Sequence, residues 1–156
     1  MQYKSFIVEQ NLNALKENLI LFYGENLGLK IEFKEKIRNN FKDYEIILYN
    51  QDDILKNQDL LFNEIRNQSL FNKNKILIIE QSNDKIVPLV EQIYEQANDK
   101  IYLFSELLDK KSKLRNFFEK SKKCGIVACY QDNEISIKKI ILKELRDFSE
   151  LSPINI

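Results

Sequence analysis

A chain of 156 residues, 44% hydrophobic and 11% aromatic, suffices for one domain with a real core, or one domain and the start of another. Its 24 basic and 24 acidic side chains leave no net charge, which excludes a globally basic nucleic-acid binder but not a local basic patch. The lack of histidine removes the Ser-His-Asp and Cys-His catalytic arrangements and the usual zinc sites, and no apolar run approaches the roughly 18 residues of a membrane span.

Nothing at the N-terminus resembles a signal peptide, because Phe6-Ile7-Val8 is only a short apolar stretch. The clearest element follows at Asn18-Leu19-Ile20-Leu21-Phe22-Tyr23-Gly24-Glu25, a near-continuous apolar run ending in Gly that reads as a buried strand. A helix over about 27–41 is expected next, with Leu29, Phe33, Ile37 and Phe41 on its buried face. Tyr44-Glu45-Ile46-Ile47-Leu48-Tyr49 is a second strand. Asn50-Gln51-Asp52-Asp53 supplies a turn and helix cap, and a helical stretch carries Ile54, Leu55, Leu60, Leu61 and Ile65.

Lys75-Ile76-Leu77-Ile78-Ile79-Glu80 is a third strand, fully buried. A helix over about 86–97 holds Pro88 in its first turn, the one place where proline is tolerated. Lys100-Ile101-Tyr102-Leu103-Phe104-Ser105 is a fourth strand, and Asp109 is the expected cap of a helix holding Leu114, Phe117 and Phe118. Gly125-Ile126-Val127-Ala128-Cys129-Tyr130 is a fifth strand. The last helix, about 136–148, aligns Ile137, Ile141, Leu145 and Phe148. Cys124 and Cys129 lie at this fifth strand, about 16 Å apart if extended and on opposite faces. A disulfide needs Cα atoms within about 7 Å, so both are expected to be reduced thiols in a reducing compartment.

Strands that alternate with helices, four of the five apolar on both faces, imply an α/β three-layer domain with a five-stranded, mainly parallel sheet. That domain should occupy residues 1–132, with 133–156 beginning a second, helical one. The closing Leu151-Ser152-Pro153-Ile154-Asn155-Ile156 reads as an exit, so a fragment of a longer, cytoplasmic protein is expected.

The turn after the first strand is where a P-loop would stand, with the spacing G-x-x-x-x-G-K-[ST]. Here the segment is Gly24-Glu25-Asn26-Leu27-Gly28-Leu29-Lys30-Ile31. Its glycines are one residue too close, Lys30 does not follow Gly28 directly, Ile31 replaces the hydroxyl residue, and Glu25 adds negative charge. The expectation is a degenerate P-loop that binds no nucleotide, with no catalytic residue, cofactor or metal.

Two surface segments stand out. Leu70 and Phe71 are adjacent large apolar residues between polar flanks, and either tuck into the core or anchor a partner. Lys110, Lys111, Lys113, Arg115, Lys120, Lys122 and Lys123 face only Glu119 in opposition, and form either a solvated face or a phosphate-binding one.

Four features together resemble the N-terminal region of the delta subunit of the bacterial DNA polymerase III clamp loader, its alphaproteobacterial branch most of all. They are Leu21-Phe22-Tyr23-Gly24-Glu25; Ser69-Leu70-Phe71 followed by a basic turn and Ile76-Leu77-Ile78-Ile79; Leu108-Asp109-Lys110-Lys111-Ser112-Lys113-Leu114-Arg115; and Ile126-Val127-Ala128-Cys129-Tyr130 leading to Asp132-Asn133-Glu134. The resemblance implies a RecA-like, AAA+-type domain without working nucleotide chemistry, followed by the start of a lid. It implies that Leu70 and Phe71 form a hydrophobic wedge for the beta sliding clamp. Phe62, Arg66, Asn67, Gln68, Ser69 and Lys73 would lie around it, with Lys75 at the rim. In the family the wedge often follows a Gln; here Arg66 and Asn67 stand at the upstream positions and Gln68 sits closer in. The other loader subunits would join through a C-terminal collar domain absent from these residues, and primed DNA would be met in the full complex. The alternative is a catalytically dead P-loop-like domain that binds nucleic acid through residues 110–123, with Lys110, Lys111, Lys113 and Arg115 as contacts. A flavodoxin-like small-molecule binder is a third reading.

Overall fold

The structure, a computed structural model, describes residues 1–67, 74–131 and 134–151. Gln2–Tyr3 (β1), Leu19–Tyr23 (β2), Glu45–Asn50 (β3), Lys75–Glu80 (β4), Lys100–Ser105 (β5) and Cys124–Ala128 (β6) form one sheet in the order β1-β6-β2-β5-β4-β3. Every pairing is parallel. The sheet therefore has six strands where sequence periodicity predicts five. The sixth is β1, only two residues long, and it is a strand solely because Gln2 and Tyr3 pair with Ile126 and Val127. A two-residue segment carries no periodicity to read.

The helices are Ser5–Gln10 (α1), Leu27–Asn40 (α2), Gln51–Lys56 (α3), Gln58–Arg66 (α4), Val87–Ile93 (α5), Lys113–Lys120 (α6) and Glu134–Leu151 (α7). Alternate residues of each central strand feed opposite layers, as a pleat of period two requires. Leu19, Leu21 and Tyr23 join one core cluster with Ile54, Leu61, Val90 and Phe118, drawn from α3 to α6. Ile20 and Phe22 join the other with Val8, Phe33 and Ile37, drawn from α1 and α2. The Phe22 ring stacks on Phe104 at 4.9 Å and meets Phe33 at 4.8 Å. β3, at the edge opposite β1, is only partly buried, with Leu48 exposed.

Cys124 and Cys129 are free and buried, and they belong to the two different clusters. Burial pushes the Cys129 thiol up to about 12. The single helical stretch expected after Asn50 is two helices, broken where the Asn57 N–H turns back to the carbonyls of Asp53 and Ile54. The helix expected over 86–97 ends at Ile93, with Pro88 at its start as expected. Among the described residues, no helix is long and apolar enough to cross a membrane.

Candidate functional site

The carboxyl ends of parallel strands are where ligands of open α/β sheets bind, so the turn from β2 into α2 comes first. Gly24 has φ +138°, and a Cβ there would lie 2.0 Å from the Cys129 carbonyl oxygen. Only glycine fits this conformation and this approach. The turn is three residues long. Asn26 ends it by accepting the Leu29 N–H at 3.1 Å, an N-cap of the usual kind. Gly28 lies in the first turn of α2, where a Cβ would meet nothing nearer than Asn26 Oδ1 at 3.7 Å. It answers to no steric demand.

Lys30 is 8% exposed, and its ammonium donates to the Ser105 carbonyl at 2.9 Å, at the end of β5. Burial pulls its pKa below the ordinary lysine value. One helical turn on, Lys34 pairs with Glu80 at the end of β4 and lies 4.8 Å from the Phe104 ring centre. Both cations of this face of α2 are thus committed to neighbouring strand ends.

The second region is the end of α4. Phe62 and Arg66 lie together, the guanidinium 5.7 Å from the ring centre. They line a groove of about 500 Å³ with Asp59, Asn63, Gln92 and Gln96. Asn67 closes the helix by donating its N–H to Asn63 O at 2.8 Å. Gln68, Ser69, Leu70, Phe71 and Lys73 lie outside the described residues. Lys75 does not stand at a rim, as sequence reasoning had it. It is 4% exposed, and its ammonium donates to the carbonyls of Glu64 and Asn67 and to the Glu64 carboxylate at 3.3 Å. A cation buried at a helix C-terminus satisfies carbonyls that the helix itself cannot. The residues on either side of 68–73 are therefore well anchored, since Asn74 O also accepts the Glu45 N–H at 2.8 Å.

The third region is the basic run. Lys110, Lys111 and Lys113 are exposed. Arg115 is spent internally: it pairs with Glu119 at 2.8 Å, donates to Leu108 O at 3.0 Å, and lies 5.2 Å from the Tyr23 ring centre. Lys123 pairs with Glu95 at 3.4 Å. Asp109 is not the cap of α6. It accepts the Lys111 N–H in the preceding turn, while Ser112 is the N-cap and accepts the Arg115 N–H. Asp84, 28 residues earlier, accepts from the Ser112 hydroxyl at 2.6 Å and the Leu114 N–H at 3.0 Å. No local pattern announces this second cap, because its two halves meet only when the sheet assembles.

No family model and no curated protein matches the chain. Its fold matches the solved Bacillus subtilis DNA clamp loader delta protein (YqeN) with a TM-score of 0.64 and 16% identity, over 89% of this chain and 46% of that one. The chain therefore has the α/β fold of that protein and spans less than half of its length.

Proposed function

We propose that the chain is the clamp-binding region of a clamp-loader delta subunit, which seats Leu70 and Phe71 in an apolar pocket of the beta sliding clamp and favours the open ring. The observation that carries this reading is the fold shared with a clamp loader delta protein over 89% of the chain. The Ser69-Leu70-Phe71 segment adds a sequence resemblance at the connection between α4 and β4.

The energetics say what the wedge requires. Burying a Leu and a Phe yields on the order of 3–6 kcal/mol, while association costs at least about 4 kcal/mol in lost freedom of motion. The pair alone would bind barely. The face of α4 that carries Phe62, Asn63 and Arg66 supplies the additional surface, beside Asn67, Gln68, Ser69 and Lys73. Ring opening then needs no hydrolysis in this subunit. Tighter binding to the open than to the closed clamp suffices to shift the population. In this reading the β2–α2 turn is a P-loop position without phosphate chemistry, and no catalysis belongs to the domain. The domain ends near 132, and α7 begins a helical second part. The other loader subunits are met through a collar domain beyond these residues, the replisome of the bacterial cytoplasm is its place, and primed DNA is met in the assembled loader.

Calorimetric titration of the cognate sliding clamp tests the reading. Saturable binding is expected, weakened at least about 100-fold in Leu70→Ala/Phe71→Ala, a loss of about 3 kcal/mol. A variant that binds as well as wild type would remove the wedge. Nucleic-acid binding through residues 110–123 is not favoured, since Arg115 and Lys123 already hold protein partners.

A further inference from the structure

We propose that the turn after β2 is a ligand site occupied by the chain itself, and that residues 129–131, held there as a strap, set the direction in which α7 leaves the sheet. β6 ends at Ala128, yet the next three residues stay bound at the carboxyl end of β2. The Cys129 N–H donates to Tyr23 O at 2.6 Å, and Cys129 O accepts the Asn26 N–H at 3.0 Å. Asn26 Nδ2 donates to Tyr130 O at 3.1 Å, and Glu25 Oε1 accepts the Gln131 N–H at 3.1 Å. The Tyr23 and Tyr130 hydroxyls share a hydrogen bond of 2.8 Å, and their rings meet edge to face. Arg115 also lies over the Tyr23 ring, 5.2 Å from its centre.

All three turn residues serve this contact. Glu25 and Asn26 give their side chains to the strap. Gly24 gives up a side chain, because any Cβ would collide with the Cys129 carbonyl. Three of the backbone donors at this turn are taken as well: the Gly24 N–H by Glu106 O, the Asn26 N–H by Cys129 O, the Leu29 N–H by the Asn26 side chain. A turn that elsewhere offers its amides to a phosphate here offers them to protein. Where a bound ligand could bridge sheet and following helix only while present, a strap of the chain's own residues bridges them permanently.

Spin labels at Glu35→Cys on α2 and Glu144→Cys on α7, both exposed positions, report the α7 direction by pulsed electron resonance; the two native thiols are buried. The full 156-residue chain should give a single narrow distance distribution. Glu25→Ala/Tyr130→Phe should widen it at least twofold, while amide exchange of β4 and β5 stays at the wild-type level. An unchanged width in that variant, or a wild-type distribution already as broad, would overturn the proposal. Should the double variant lose sheet protection, Tyr130→Phe alone decides by the same criterion.

Discussion

Leu19, Ile20, Leu21 and Phe22 of β2 are almost wholly buried, whereas Ile137, Ile141, Leu145 and Phe148 of α7 expose 46–70% of their surface. These side chains are all large and apolar, and their surroundings are opposite. A strand satisfies its backbone only through neighbours, so β2 exists because β5 and β6 flank it and helices cover it. A helix satisfies its backbone internally, so α7 can hold its shape while its apolar side chains stay exposed. The apolar pattern reports which face can be buried, and assembly decides whether it is.

The largest expected effect lies in the sheet. Phe22→Ala removes a ring packed on Phe33 and Phe104 and should cost about 3–5 kcal/mol in urea denaturation. Phe148→Ala, at a side chain 70% exposed, should stay within about 0.5 kcal/mol. Equal losses would place α7 in the same cooperative core and erase the contrast.

Next come the two glycines between these extremes. Gly24→Ala should cost about 2–3 kcal/mol, from strain at φ +138° and collision with Cys129. Gly28→Ala, in open space on a helix, should add about 0.5–1 kcal/mol. A tolerated Gly24→Ala would mean that the approach to Cys129 relaxes at little cost.

The smallest effect concerns Asp84. Burial pushes its carboxyl pKa up, but hydrogen bonds from the Ser112 hydroxyl and the N–H groups of Leu114 and Lys113 outweigh that, and the net value lies below the ordinary 3.8. Its contribution to stability is therefore full above that ordinary value and is lost as pH falls through the lowered one. Asp84→Asn should cost about 1 kcal/mol at neutral pH, and the gap to wild type should close in acid. Chemical denaturation at a series of pH values measures this; a gap that persists at the lowest pH would assign the effect to shape instead of charge.

Much of the fold was legible because its interior strands are near-continuous apolar runs between turn residues. β4 and β5 run over the same residues as their sequence patterns, and α2 carries Phe33 and Ile37 on the buried face that the four-residue spacing foretold. The turn at Gly24 was legible for the same local reason. The candidate site was less so. Lys75 and Lys30 look like surface lysines, and only the carbonyls that reach them from other elements make their burial possible.

By itself, then, the sequence determined the five longer strands, most of the helices between them and the burial of the central strands, because periodicity and turn chemistry are local. Tertiary structure alone decided that Gln2–Tyr3 is a strand, that Asp84 shares the capping of α6, that Arg115 stacks on Tyr23 and that residues 129–131 close over the β2–α2 turn. Each of these joins residues far apart in the chain, and such hydrogen bonds and ring contacts have no partner until the sheet brings both halves together.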